Sequence, residues 1–121
     1  MDQATLVSFE IDKGQRVLEA LDRAGNPPEV AMWAILPQYE TWRFVLASSH
    51  MHGYEDMVSQ LRAAGVMPDS RPSILLREIE DPFIKQLREK YAGRDLALGY
   101  HISSEYFGKQ YVDEAYLYRV R

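Results

Sequence analysis

The stretch SSHMHGYED, residues 48 to 56, holds the densest chemistry in the chain: two serines, two histidines one residue apart, a glycine and two acids. If the preceding strand runs on through them, His50 and His52 share one side of the backbone, an acceptable arrangement for two imidazoles on one zinc ion. A catalytic zinc needs a third protein ligand, which His101 or an acid carried in by the fold would have to supply. If the chain has already turned helical, the two rings diverge. Glu55 and Asp56 then have a plainer role in the first turn of a helix, where exposed amides and the helix dipole favour negative side chains. The same carboxylates oppose a phosphate cradle at that helix start. The signals together read as a strand end, a turn and a charged helix start, with no metal site.

Other reactive patterns are sparse. The chain has no G-x-S-x-G elbow, no G-x-G-x-x-G, no P-loop and no H-E-x-x-H. His101 and Ser103 share the less apolar side of one strand, as polar residues on an outer sheet face ordinarily do. Asp69, Glu78 and Glu80 sketch the acids of a metal-dependent nuclease, yet the lysine such sites hold nearby is missing and Arg77 stays protonated. With no cysteine, disulfides, thiolate zinc sites and cysteine nucleophiles are excluded. No cofactor is implied.

These residues must be positioned by elements that the periodicity defines. In DKGQRVLEALDRAG, Asp12 and Gln15 suit a capping box, Val17, Leu18, Leu21 and Ala24 form one face, and Gly25 suits the stop. VAMWAIL and WRFVLASS flank the five residues PQYET, the pattern of a hairpin whose strands are apolar on both sides. If that turn is symmetric, Trp33 and Trp42 point to opposite faces, one into the core and one toward a partner. GYEDMVSQLRAAG is a second helix, SILLREI a strand, and DPFIKQLREKYAG a third helix with Asp81 as cap, Pro82 at its first position and Gly93 as stop. The remainder forms a second hairpin, in which Leu96, Leu98, Tyr100 and Ile102 make a buried side opposite Gly99, His101 and Ser103. In its second strand Tyr116 and Tyr118 share a face with Val112 and Val120, leaving Ala115, Leu117 and Arg119 on the other. The fold expected is α+β: a two-layer, largely antiparallel five-stranded sheet with three helices in the order α-β-β-α-β-α-β-β, a single domain over residues 1–121.

Composition narrows the function classes. The 121 residues are 46% hydrophobic and 26% charged, with 14 basic against 18 acidic side chains and a formal net charge of -4. That balance argues against nucleic acid, which selects basic surfaces, although Arg77, Lys85, Arg88 and Arg94 could be gathered by folding. The longest apolar run, VAMWAIL, is far too short to span a bilayer, and the acidic start lacks a signal-peptide flank, so a soluble cytoplasmic protein without membrane partners is expected. Aromatic residues make up 12% of the chain, and five tyrosines, Tyr100, Tyr106, Tyr111, Tyr116 and Tyr118, fall in the last hairpin.

GQRVLEALDRAG, VAMWAILPQYETWRFVLAS and AYLYR together resemble a group of short bacterial proteins that share a G-x-R-x-L-x-A-L helix, A-x-W and W-R strands and a terminal Y-x-Y-R strand. The matching positions are Leu18, Leu21, Trp33, Trp42, Arg43, Tyr116, Tyr118 and Arg119. The resemblance implies a free-standing bacterial domain and no particular activity.

Two functions remain in view. The first is a non-enzymatic binding or regulatory module acting as a homodimer, or with another protein, through a sheet face or an edge strand. Its candidate residues are Trp33, Trp42, Arg43, Tyr116, Tyr118 and Arg119. The second is a small hydrolase or metal-dependent nuclease in which His50, His52 and His101 converge with an acid such as Glu105 or Asp113. Arg43 and Arg119, each in an apolar strand, are expected to pair with an acid such as Glu114.

Overall fold

The computed structural model describes residues 8–92 and 100–121. Its elements are α1 (Ser8–Arg23), β1 (Val30–Ile35), β2 (Trp42–Ala47), α2 (Tyr54–Ala63), β3 (Ile74–Arg77), α3 (Pro82–Tyr91), β4 (Tyr100–Phe107) and β5 (Gln110–Val120), with a 3-10 turn at Pro68–Ser70. The order is the expected α-β-β-α-β-α-β-β of an α+β fold. The five strands make one sheet in the order β3-β2-β1-β5-β4. Neighbours are antiparallel except β2 and β3, which run parallel because α2 carries the chain back between them. The expectations for Gly93, Arg94, Leu96, Leu98 and Gly99 lie outside the described residues.

The two-layer expectation gives way to three layers. β1 and β2 are apolar on both sides, and each side takes its own helices. α1 and α2 bring Val17, Leu18, Leu21, Met57 and Leu61 onto the face of Ala31, Trp33, Ile35 and Phe44. On the other face α3 brings Phe83, Ile84, Leu87 and Tyr91 onto Val30, Met32, Ala34 and Val45. Most of the apolar surplus in the strands is absorbed this way.

Local signals account for the start of α3 and for the ends of α1 and α2, but not for the start of α1. The Asp81 carboxylate accepts from the Phe83 amide at 2.9 Å, with Pro82 behind it, so α3 starts where expected. Gly25 and Gly65, at φ 83° and 87°, follow the ends of α1 and α2. α1, however, already includes Ser8, so Asp12 lies inside the helix rather than capping it, and Gln15 donates forward to Glu19. The extra turn is held from outside: the Trp33 indole donates to the Glu10 carbonyl at 3.2 Å, and the Tyr118 hydroxyl donates to the Ile11 carbonyl.

Register decides which face each strand residue takes. Ile35 pairs with Trp42 and Trp33 with Phe44, so both tryptophans lie on the α1–α2 face and both are buried. The expected opposition of Trp33 and Trp42 is therefore corrected. Leu36 leaves the ladder to join the loop, and that one-residue change reverses the face of every following side chain. Two further breaks occur in the second hairpin. Across β1–β5, Ala31 pairs with Arg119 and Met32 with Leu117, which leaves Tyr118 as the extra residue of a bulge. In β4, Ser104 has φ 52°, and Ile102 and Phe107, five residues apart, both enter the α3 core. Val112 and Val120 accordingly join the α3 face instead of continuing the side of Tyr116 and Tyr118.

Candidate functional site

The histidine stretch is a tied-down turn. β2 ends at Ala47, before either histidine, so the condition that would align His50 and His52 is not met. The Ser49 hydroxyl and amide both donate to Glu29, the amide at 3.0 Å. Burial opposes charge on Glu29, but these two bonds prevail and hold its carboxyl below the usual range. The His50 amide donates to the buried Ser48 hydroxyl at 3.0 Å, and the His52 amide donates to Asp56 at 2.9 Å. The second of these bonds holds the Asp56 carboxyl low, with help from the Gln60 amide. What the stretch fixes is backbone; both imidazoles are exposed.

The strand order keeps the candidate catalytic groups apart. His101 lies on β4, opposite Tyr116 of β5, while His50 and His52 follow β2, three strands away at about 4.8 Å per strand. Glu105 is engaged by Lys90 and by the Tyr91 hydroxyl on α3, the latter at 3.1 Å. Asp69 borders a cleft of about 520 Å³ between α1 and the end of α2, whereas Glu78 and Glu80 border a smaller one beside Ser48, Ser49 and His52. Among the described residues no three His, Asp or Glu side chains gather as they would around a metal ion. The larger cleft mixes Arg16 and Arg23 with Asp12, Glu19 and Asp69, and so presents no single sign of charge to a ligand.

The candidate binding residues divide into core and rim. Trp33 packs on Phe44 with ring centroids 5.3 Å apart, and Phe44 packs edge-on against Tyr118 at 5.8 Å. Tyr118 is buried, and loss of solvent pushes its phenol well above the usual tyrosine range. Trp42 is buried too, but its indole N–H has no hydrogen-bond partner among the described residues. Arg119 forms a two-pronged pair with Asp22 of α1, both bonds 2.8 Å, so its partner is Asp22 and not Glu114. That bidentate contact holds the Asp22 carboxyl below the usual range. Arg43, half-buried, lies 5.1 Å from the centroid of the Tyr39 ring and takes a cation–π contact in place of an acid. Tyr116 is half-covered beside Tyr118.

The exposed aromatic surface lies further along the same hairpin. Tyr106 is 68% exposed and Tyr100 is 41% exposed. Tyr106 pairs with half-buried Tyr111 across the β4–β5 ladder, their rings 4.9 Å apart. Tyr100, expected to be buried, leans on Tyr91 at the edge of the α3 core instead. Sequence reasoning placed the tyrosines in this hairpin but assigned the interface to Tyr116 and Tyr118. What decides exposure here is the face a residue takes: Phe107 turns onto α3 and is buried, whereas Tyr106, one residue earlier, lies on the opposite side.

Comparison with known proteins returns no matching family model, no matching curated protein and no matching solved structure. Among the described residues no helix is long and apolar enough to cross a membrane.

Proposed function

We propose that the chain is a non-enzymatic binding or regulatory module that acts as a homodimer, with the β4–β5 hairpin as its contact surface. The observation that carries this reading is the exposed aromatic side of that hairpin, opposite the side packed by α3. α3 covers one side of the hairpin through Ile102, Phe107 and Val112, while on the other side Tyr106, with Tyr111 beside it, stands in solvent. Tyrosine suits such a surface, because it offers a large apolar ring at low entropic cost and a hydroxyl that tolerates water.

A two-fold pairing of this hairpin with a second copy needs no other component, and closed two-fold dimers are the commonest assembly of soluble chains. The test is light scattering coupled to size-exclusion chromatography, with and without EDTA and at two salt concentrations. The expected species has twice the 14.0 kDa chain mass. It is indifferent to EDTA and little changed by salt, as an apolar contact should be. A monomer at micromolar concentration overturns the reading.

A further inference from the structure

The sheet has two edges, and the sequence treats them differently. β3 has only four residues, and its Leu76 amide donates to the Tyr54 hydroxyl at 3.0 Å, so a side chain of α2 occupies part of that edge. β4 has eight described residues, YHISSEYF, with no proline and no lysine among them. Its one acid, Glu105, is engaged by Lys90 and Tyr91 of its own chain. Edge strands that must stay unpaired are commonly short, charged or interrupted by proline. β3 carries such protection; among the described residues β4 carries no proline or lysine, and its one irregularity is at Ser104.

We infer that a second copy of this chain pairs through the outer edge of β4, antiparallel and centred between Ser103 and Ser104. This rests on the homodimer reading above and specifies its seam. The centre follows from the break in alternation. A two-fold axis perpendicular to a sheet keeps each residue on its own face, and residues opposite one another must share a face. An unbroken strand satisfies both conditions only when the axis passes through a residue.

β4 is not unbroken. Tyr100 and Ile102 lie on the α3 side before Ser104, as do Glu105 and Phe107 after it, while His101 and Tyr106 lie on the α1–α2 side. An axis between Ser103 and Ser104 therefore sets Tyr100 against Phe107 of the second copy, Ile102 against Glu105 and His101 against Tyr106, every pair on a common face. An axis through Ser103 or Ser104 would set residues of opposite faces together. The seam joins two five-stranded sheets into one of ten strands and places each Tyr106 ring beside the other copy's His101.

The chain has no cysteine, so a disulfide can report this register without background. In the His101→Cys/Tyr106→Cys double variant the two thiols of one chain are about 16 Å apart along the strand, too far to join. The pairing sets each beside the other thiol of the second copy. Mild oxidation is expected to give a covalent dimer that dithiothreitol reverses, and neither single variant should give one. In the otherwise native chain Ser103→Lys puts like charges beside the axis and should weaken the dimer roughly tenfold or more. A native dimer that yields no covalent species, or that Ser103→Lys leaves intact, overturns the β4 seam and leaves the homodimer standing. A native monomer overturns both.

Discussion

Tyr118 and Arg119 are consecutive residues of β5, yet both reach α1: the hydroxyl of one donates to the Ile11 carbonyl and the guanidinium of the other grips Asp22. In an unbroken strand they would point to opposite faces. The bulge that leaves Tyr118 unmatched against β1 turns both toward the same helix, one near its start and one near its end. β5 thus clamps α1 at two points.

The outer point of that clamp has an acid limb. Asp22 has a depressed carboxyl, so its contribution is complete above the unfolded value near 3.9 and is lost as pH falls through the lower folded value. Asp22→Asn is expected to cost about 1 kcal/mol at neutral pH, a modest figure because the pair is partly exposed. Urea denaturation at pH 7 and pH 3 should show wild type losing more stability on acidification than the variant. Equal losses would show that Arg119 gains nothing from the charge.

The inner point has an alkaline limb. Burial raises the Tyr118 phenol, so the folded chain holds that proton after the unfolded chain has begun to release it. Its contribution is whole below about pH 10 and declines as pH rises toward the folded value. Absorbance titration of tyrosinate should leave one phenol unionised until the chain unfolds. Tyr118→Phe should remove that lag and cost about 1 kcal/mol at neutral pH through the lost bond to Ile11. If every phenol titrates together in the folded chain, the hydroxyl is not sequestered.

The two tryptophans separate packing from hydrogen bonding. Both are buried on one face, but the Trp33 indole donates to Glu10 while the Trp42 indole donates to nothing among the described residues. Replacing each by phenylalanine removes a similar volume. Trp33→Phe also forfeits a bond, whereas Trp42→Phe removes a buried N–H left unsatisfied, so the first should cost about 1–2 kcal/mol more than the second. Denaturant midpoints of the two variants measure the difference, and equal costs would mean that the Glu10 contact carries no net energy.

The features legible in the sequence are those whose causes are local. Asp81 and Pro82 announce α3, Gly25 and Gly65 announce stops, and the apolar runs announce strands covered on both sides, because each signal acts within a few residues of itself. The face of Trp42 was not legible, since it depends on whether Leu36 pairs or loops out. Nor were the Tyr118 bulge and the Ser104 break, which are set by partners on other strands. The start of α1 failed for the same reason: Asp12 offers a local cap, but Trp33 and Tyr118, distant in sequence, hold another turn in place. At the histidines the strand end, turn and helix start were legible, while the exposure of Tyr106 required knowing where α1 and α2 end on the sheet.

At Gly14 the backbone of α1 lies close against the sheet. A β-carbon there would stand 2.8 Å from Phe44 Cε1, 2.8 Å from Trp33 Nε1 and 2.9 Å from the Tyr118 hydroxyl. These are the three aromatic rings under the helix, packed on one another and buried, so none can swing aside cheaply. Two effects of Gly14→Ala oppose each other. Alanine favours the helix by about 1 kcal/mol over glycine in a helix interior. Overpacking a rigid core costs about 1–3 kcal/mol, and lifting α1 to relieve it would also loosen the Trp33 and Tyr118 bonds to the first turns. The clash should win, with a net loss of about 1–2 kcal/mol and a lower denaturant midpoint. A gain in stability instead would mean that α1 rides above the rings without the close approach, and that its glycine serves no packing purpose.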